Sequence, residues 1–325
     1  MNISSTLRSS GQVNDYIHHI DLKQYNFPEL CSAFVLKTQN SYAIMDCGTS
    51  NDIPTLLDYI TSELNLSLKR IGYLIPTHYH FDHFGGGWKL WETLMEYNPD
   101  IKILKTEKTK EQLQHPELHM ERAQRTFGDF IGEMNPIIDE AFEIVNTDEE
   151  IPLGLKKSQS FQLIKTPGHV PDHVCPTLFN GNQVIFSFVG EASGGLFNIG
   201  KPDKPVILGT SMPPEFDFTK YTQSLKKIQK LLPQSIGLGH FGAVLGEVNV
   251  SDYLNESLAF ATSFRNFVRE KYEERNETKY IVEQFIEKEL AKKIDVTQLS
   301  NGFLTKIIIA LVYGQLIDLG FRKPK

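Results

Sequence analysis

Cysteine is scarce in this chain of 325 residues, which carries three: Cys31, Cys47 and Cys175. An odd number at these spacings builds neither a disulfide framework nor a cysteine-ligated zinc knuckle, so buried free thiols in a reducing compartment are expected. Cys47, beside Asp46 at a predicted strand end, is expected near the functional site without being a ligand. Positive charge is also in short supply: 33 Lys and Arg stand against 40 Asp and Glu, a formal net charge of −7. Proteins that bind polyanions carry the opposite balance, so no nucleic-acid partner is expected. Long hydrophobic runs are missing as well. The longest apolar stretch, 303–319, is broken by Lys306, Gln315 and Asp318, which argues against a membrane span. No apolar run follows Met1-Asn2-Ile3-Ser4-Ser5-Thr6, so no secretory signal is visible and a cytoplasmic location is expected. The sequence also has no internal repeat and no low-complexity segment.

What is present reads as a layered fold. The length exceeds a usual single domain of about 100–200 residues, so one large domain with a smaller appendage is the simplest division. Residues 32–37 and 41–45 are β-branched and aromatic runs separated by Thr38-Gln39-Asn40, a hairpin pattern. Asp46-Cys47-Gly48 ends the second strand. A helix is predicted after Asn51 or Asp52, with Pro54 in its first turn and Leu56, Leu57, Ile60 and Leu64 on its apolar face. Short strands are predicted at 72–75, 101–104, 161–164, 184–188 and 236–238. Between them lie a buried helix carrying Trp88, Leu90, Trp91, Leu94 and Met95, a polar helical segment over 107–134, and a helix marked by Tyr221, Leu225, Ile228 and Leu232. Strands and helices thus alternate to about residue 250, as in an α/β domain. From Ser251 the pattern turns helical. Phe260, Phe264, Phe267 and Val268 mark one amphipathic helix, Ile281, Phe285 and Leu290 a second, and Leu304, Ile307, Ile308 and Leu311 a third. The expected division is a catalytic domain over 1–248 and a helical domain over 249–325.

The chemistry concentrates in Thr77-His78-Tyr79-His80-Phe81-Asp82-His83. Three imidazoles and a carboxylate at such close spacing are a ligand set for zinc, and they suit iron and manganese equally. The i, i+4 spacing of a helical zinc site is absent. In an extended segment residues i and i+2 point to one side, so His78 and His80 can share one metal. A turn after His80 swings Asp82 and His83 towards a second, and Gly85-Gly86-Gly87 permits that turn and a close backbone approach. Tyr79, Phe81 and Trp88 are expected to line the entrance, and Met120, Phe127, Phe130 and Met134 to form either an apolar wall or the core of the insert. His115 and His119, spaced i, i+4, are expected on a solvated helix face, and His18 and His19 at the surface.

That segment resembles the His-x-His-x-Asp-His motif of the metallo-β-lactamase superfamily. Thr166-Pro167-Gly168-His169 is similar to the family's second motif, Gly239-His240 to its last, and Asp46-Cys47-Gly48 to the Asp-x-Gly at the end of an early strand. All four fall in the family's order between residues 32 and 242. The resemblance implies an α/β fold, a four-layer αββα sandwich, followed here by a small all-helical C-terminal domain. It implies His78, His80 and His169 on one metal and Asp82, His83 and His240 on a second, with Asp46 and His173 in supporting positions. The family's bridging aspartate sits in a Gly-Asp pair after a strand. Here the strand 184–189 ends in Gly190-Glu191, so Glu191 is the candidate bridge, with Asp203 and Asp217 as alternatives. The implied cofactors are two divalent metal ions, zinc first, with iron or manganese open. The implied activity is hydrolysis of a small ester, thioester or lactone by a metal-activated water, its pKa lowered from 15.7 towards about 7. Asp82 would orient that nucleophile and relay a proton. The alternative is a di-iron redox protein on the same fold, which the glutamate keeps open; a metal-bound module without turnover is a third. The expected partner is a small-molecule substrate, and a homodimer is the commonest assembly for such a chain. The helical tail is expected to be a lid, a substrate wall or a dimer surface.

Overall fold

Residues 6–197, 205–293 and 302–324 are described in the computed structural model. The chain begins with β1 (Thr6–Leu7), β2 (Gly11–Gln12), β3 (Ile17–Asp21), β4 (Ser32–Lys37), β5 (Tyr42–Met45), α1 (Ile53–Asp58), β6 (Ile71–Ile75), α2 (Phe81–Phe84), α3 (Gly87–Met95), β7 (Lys102–Lys105), α4 (Glu107–Gln114), α5 (Glu117–Phe127) and β8 (Phe142–Ile144). It continues with β9 (Gln159–Lys165), β10 (Val174–Asn180), β11 (Gln183–Gly190), β12 (Gly195–Phe197), β13 (Val206–Leu208), α6 (Phe218–Leu231), β14 (Ser235–Leu238), β15 (Ala243–Leu245), α7 (Glu247–Glu274), α8 (Thr278–Phe285) and α9 (Phe303–Asp318).

Among the described residues the strands form two mixed sheets, ordered β2-β3-β4-β5-β6-β7-β8 and β1-β15-β14-β11-β10-β9, and a β12-β13 hairpin. β5 through β8 run parallel, and so do β11 and β14; the other pairings are antiparallel. The period of two along an extended chain sorts the residues between layers. In β4, Phe34 and Leu36 face the second sheet, while Ala33 and Val35 face the helices on the other side. The layer between the sheets packs Phe34, Leu36, Met45, Ile75 and Leu104 against Phe161, Leu163, Leu178, Phe186 and Phe188. The Phe34 ring sits 4.7 Å from that of Phe188 and 5.4 Å from that of Phe186. Outside, Ile53, Leu56, Leu90 and Leu94 of α1 and α3 cover the first sheet. Tyr221, Leu225 and Ile228 of α6, with Val250, Tyr253 and Leu254 of α7, cover the second. The result is the expected αββα sandwich.

The three expected helices after residue 250 form as α7, α8 and α9. α7 serves two cores. Its first half lies on the second sheet, while Phe264 and Val268 join Ile281 and Phe285 of α8, Ile308, Leu311 and Val312 of α9, and the β12-β13 hairpin. Among the described residues no helix is long and apolar enough to cross a membrane.

Two sequence expectations fail here. β10 has no counterpart among the strands expected from the sequence; it carries Pro176, and a proline argues against a central strand, yet it pairs with β9 from Val174 to Asn180 and with β11 from Thr177 to Asn180, so that no β11 partner stands opposite the proline. His19 is not at the surface. It lies in β3, buried, with Nδ1 3.0 Å from the Ser9 carbonyl oxygen and Nε2 3.0 Å from Ser32 Oγ. His18 is half-buried, with Nε2 3.2 Å from the Tyr59 hydroxyl. Pairing of β3 with β4 draws both histidines inward, and a sequence without a recognised strand there gives no sign of it.

α9 docks on the segment that follows β13. The Ser211 hydroxyl donates to the Leu311 carbonyl at 2.8 Å, and Arg265 of α7 pairs with Asp318. The contact is so close that a Cβ on Gly314 would lie 1.6 Å from the Ser211 carbonyl oxygen. Gly314→Ala is therefore expected to push α9 off this segment and to lower stability by about 1–3 kcal/mol through overpacking. A urea unfolding midpoint equal to that of the wild type would refute the close docking.

Candidate metal centre

The motif residues meet where the C-terminal ends of β5, β6, β9, β11 and β14 come together. The turn after β5 positions the histidine-rich segment. Asp46, at a φ of 54°, accepts from the Thr77 backbone N–H at 2.7 Å and from the Thr77 hydroxyl at 2.8 Å. Cys47 N–H and Gly48 N–H both donate to the His83 carbonyl at 2.8 Å. Gly86 N–H donates to the Gly48 carbonyl at 2.9 Å, and a Cβ on Gly86 would stand 2.6 Å from the Thr49 carbonyl oxygen. The glycine is needed here for close approach. The segment is thus held at both ends; the chain bends at Thr77 and His78, His80 is extended at a φ of −59° and a ψ of 147°, and α2 starts immediately after.

These contacts also set tautomers. The Thr77 hydroxyl uses its one proton on Asp46, so its oxygen accepts from His78 Nδ1–H at 3.0 Å. That leaves the His78 Nε2 lone pair facing the centre. His240 donates Nδ1–H to the Leu30 carbonyl at 2.7 Å, which leaves its Nε2 facing inward too. His169 Nδ1 lies 2.6 Å from Thr210 Oγ1. His169 Nε2 is then 3.1 Å from His78 Nε2 and 2.9 Å from His80 Nδ1.

Two groups of donors result, the atoms of each lying within 4.8 Å of one another: His78, His80 and His169, then Asp82, His83 and His240. Glu191 lies between them. Its Oε1 is 2.8 Å from His240 Nε2 and 3.7 Å from His83 Nε2, and its Oε2 is 3.8 Å from His169 Nδ1. Asp82 Oδ2 is 3.7 Å from Nε2 of both His83 and His240. His173 is occupied on both nitrogens: Nε2 accepts from the Glu191 backbone N–H at 3.2 Å, and Nδ1 lies 2.9 Å from Thr166 Oγ1. Asp217 instead caps α6, accepting from Lys220 N–H at 2.9 Å, and Asp203 lies outside the described residues.

The two groups differ in charge. Burial, helped by neighbouring imidazoles, holds His78 and His80 well below the usual histidine range, and burial brings His169 to about 4. Burial acts the same way on His83, but Asp82, Asp46 and Glu191 outweigh it and hold that imidazole well above its ordinary value. His240 is raised because Glu191 overcomes its burial. Burial would raise the Glu191 carboxyl; His240 and His83 hold it well below the carboxylate range instead.

The donor set fits metal ions. Three imidazole nitrogens converge in the first group, with His78 Nε2 presented as a lone pair, which is the donor type and number that a zinc site takes from its protein. In the second, Nε2 of His83 and Nε2 of His240 both face the Asp82 and Glu191 carboxylates, while His83 Nδ1 lies on the other side, 3.4 Å from Asp46 Oδ2.

A cavity of about 460 Å³ opens over both groups. Tyr79 and Phe81 line it, with α5, residues 212–215 and α9 as walls. Trp88 lies elsewhere, packed on the first-sheet core with Nε1 3.3 Å from the Glu133 carbonyl, because α3 turns it away. Phe127 reaches the cleft, Met120 and Met134 belong to the core, and Phe130 packs edge-on against Tyr25. His115 is exposed, but His119 is not on a solvated face. Its ring stacks on His80, with centroids 5.1 Å apart and planes 3° from parallel, and its Nε2 accepts from Phe81 N–H at 3.2 Å.

Several supports had no sequence motif. Lys105 is fully buried and donates to the Pro76 and Thr77 carbonyls at 2.9 and 3.1 Å; burial lowers its pKa to about 8. Gln24 Nε2 and the Cys31 thiol donate to the Asp82 carbonyl at 2.9 and 3.2 Å. All three cysteines are buried free thiols. A lysine closing a buried strand was the one visible hint.

Against known proteins, the family model of the metallo-beta-lactamase superfamily matches residues 26–240. The chain is 27% identical over 254 residues to the metallo-beta-lactamase fold-containing protein ST1585 of Sulfurisphaera tokodaii, across 75% of this chain and 84% of that protein. The crystal structure of ST1585, described as an archaeal metallo-beta-lactamase superfamily protein from Sulfolobus tokodaii, matches with a TM-score of 0.63 at 24% identity, covering 92% of this chain and 98% of the other. The metallo-beta-lactamase family protein TTHA1429 of Thermus thermophilus matches with a TM-score of 0.56 at 17% identity, covering 89% and 88%. A B3 metallo-beta-lactamase described as having an active-site glutamic acid matches with a TM-score of 0.53 at 13% identity, covering 80% and 91%. At these identities the solved structures show a shared fold.

The buried histidines give the metal-free protein a defined pH response. His19, His119 and His169 fall from 6.5 to about 4 on folding, mainly through burial. The unfolded chain therefore takes up protons first, and stability is lost as pH falls from 6.5 to about 4. His83 and His240 are raised, so their contribution is complete below 6.5 and does not offset the trend. Urea midpoints of chelator-treated protein should decline across this window; a flat profile would show that these imidazoles are not buried neutral.

Proposed function

The chain belongs to the metallo-beta-lactamase superfamily, a group made up largely of hydrolytic metalloenzymes, and on that premise we propose that it is a metal-dependent hydrolase of a small ester, thioester or lactone. The observation that carries the reading is the pair of adjacent donor groups, with Glu191 between them, on the floor of a cleft of small-molecule size. His78, His80 and His169 would hold one ion, Asp82, His83 and His240 a second, and Glu191 would reach both. Two bound divalent ions, zinc first with iron or manganese as alternatives, would supply Lewis acidity and lower the pKa of a water towards about 7.

The chain's own groups do the rest. Thr77, Thr210 and the Leu30 carbonyl fix the rings of His78, His169 and His240, so little reorganisation is needed on loading. His173 holds the backbone at Glu191. The Asp82 carboxylate borders the cleft, where it would orient the attacking water, take its proton and pass that proton to the leaving oxygen or sulfur. The division at 248/249 is proposed in a modified sense. The helical addition is part of the substrate site, since Ala310, Tyr313 and Ile317 of α9 wall the cleft.

The test is elemental analysis and visible absorption of protein purified without added metal, followed by thioester and lactone assays. About two colourless zinc ions per chain with turnover is the expected result. Iron with a visible band would transfer the reading to redox chemistry, and one metal or none would remove Glu191 as a bridge. In the same assays Asp82→Ala should abolish turnover while circular dichroism stays that of the folded protein; full activity would remove Asp82 from its role.

A further inference from the structure

The cleft is apolar on some walls and cationic on one. Leu118, Met212, Ala310 and Ile317 line it with carbon. α5 also contributes His119 and Arg122, three residues apart and so one above the other on a single helix face. The stacking of His119 on His80 sets that face over the imidazole floor. Arg122, one turn further on, borders the same cleft and is half-buried.

Its guanidinium makes no hydrogen bond or ion pair among the described residues. The other half-buried arginines all have partners: Arg8 pairs with Glu29, Arg265 with Asp318, and Arg322 bonds Asn276 and the Tyr272 hydroxyl. A partly desolvated cation without a partner is unfavourable, and this one faces a cavity. Glu215 borders the same cleft and accepts from the Tyr79 hydroxyl at 2.5 Å, but it makes no ion pair with Arg122 among the described residues.

We propose that the cleft takes a compound in which a hydrolysable acyl bond separates an apolar arm from an arm bearing a carboxylate, and that Arg122 pairs with that carboxylate. The planar guanidinium matches a carboxylate by two parallel hydrogen bonds. The inference rests on the hydrolase reading above for the acyl bond alone. In that reaction water adds to the acyl carbon, the C–O or C–S bond breaks, and the proton goes to the departing oxygen or sulfur. Arg122 exchanges no atom in it and selects which compounds enter.

The test separates binding from turnover. Calorimetric titration of the zinc-loaded full chain would use the hexyl thioether of mercaptopropionate, which cannot be hydrolysed, and its neutral carboxamide. The wild type is expected to bind the carboxylate about tenfold tighter or more. In Arg122→Gln the two affinities should converge, and Arg122→Lys should keep part of the preference. Equal binding of the two compounds by the wild type, no binding of either, or a preference that survives in Arg122→Gln overturns the proposal; the last outcome assigns the carboxylate to the floor instead. Turnover of the hexanoyl thioester of mercaptopropionate is read separately. A lost turnover with the binding preference intact would sink the hydrolase reading and leave the Arg122 assignment standing.

Discussion

The carboxylate of Asp46 is the constraint on which the candidate centre depends. It is fully buried and its backbone is left-handed, a conformation that a non-glycine residue holds only when its surroundings enforce it. What enforces it is a set of bonds in both directions: Thr77 onto the carboxylate, the next two amides onto the His83 carbonyl, and Gly86 onto the Gly48 carbonyl. Lys105 holds the Pro76 and Thr77 carbonyls from below. Each of these groups is buried, so losing one partner would leave another unsatisfied, at about 1–3 kcal/mol. The segment from Thr77 to Gly86 therefore has little freedom, and its imidazoles are aimed before any ion arrives.

The two donor groups solve the problem of buried charge in opposite ways. The first is made of neutral nitrogens, kept neutral by burial and by one another. The second gathers carboxylates, and their field holds protons on His83 and His240. Without a cation those protons are what balances Glu191 and Asp82. On the proposed reading an ion entering the second group displaces protons, while one entering the first finds lone pairs already free. The glutamate suits this arrangement. Its Oε1 lies 2.8 Å from His240 Nε2 and its Oε2 3.8 Å from His169 Nδ1, while His173 holds its backbone in place.

Much of this was legible in the sequence because it is local. His78 and His80 stand two residues apart and meet at His169, and the glycines after them announce a close turn. Phe34 and Leu36 separate from Ala33 and Val35 by the same period, so the layers could be anticipated from alternating runs. What stayed hidden depends on partners far along the chain. β10 carries a proline at 176 and is held there by β9 alone, with β11 joining from Thr177 onward. His19 was hidden because Ser9 and Ser32 are brought to it by pairing of β3. His119 reads as one more polar residue on a polar helix until α5 is laid across His80. Thr210, Leu30 and Gln24 carry no motif, since a hydroxyl, a carbonyl and an amide serve anywhere.

The same contrast separates chemistry from selection. The residues on the cleft floor come from strand ends, from the loops that follow them and from the short helix α2 behind β6. The walls come from α5, from the segment after β13 and from α9, elements whose sequences hold no recognisable signature. α9 stands outside the span matched by the family model, yet Gly314 lets its backbone touch Ser211, and it reaches the cleft with Tyr313. A floor built from strand ends cannot adapt without disturbing both sheets, whereas a helix laid over it can change residue by residue. Substrate choice in this chain should therefore be sought in α5 and α9, where an unpaired guanidinium and apolar side chains border a floor whose ligand set says little about what it acts on.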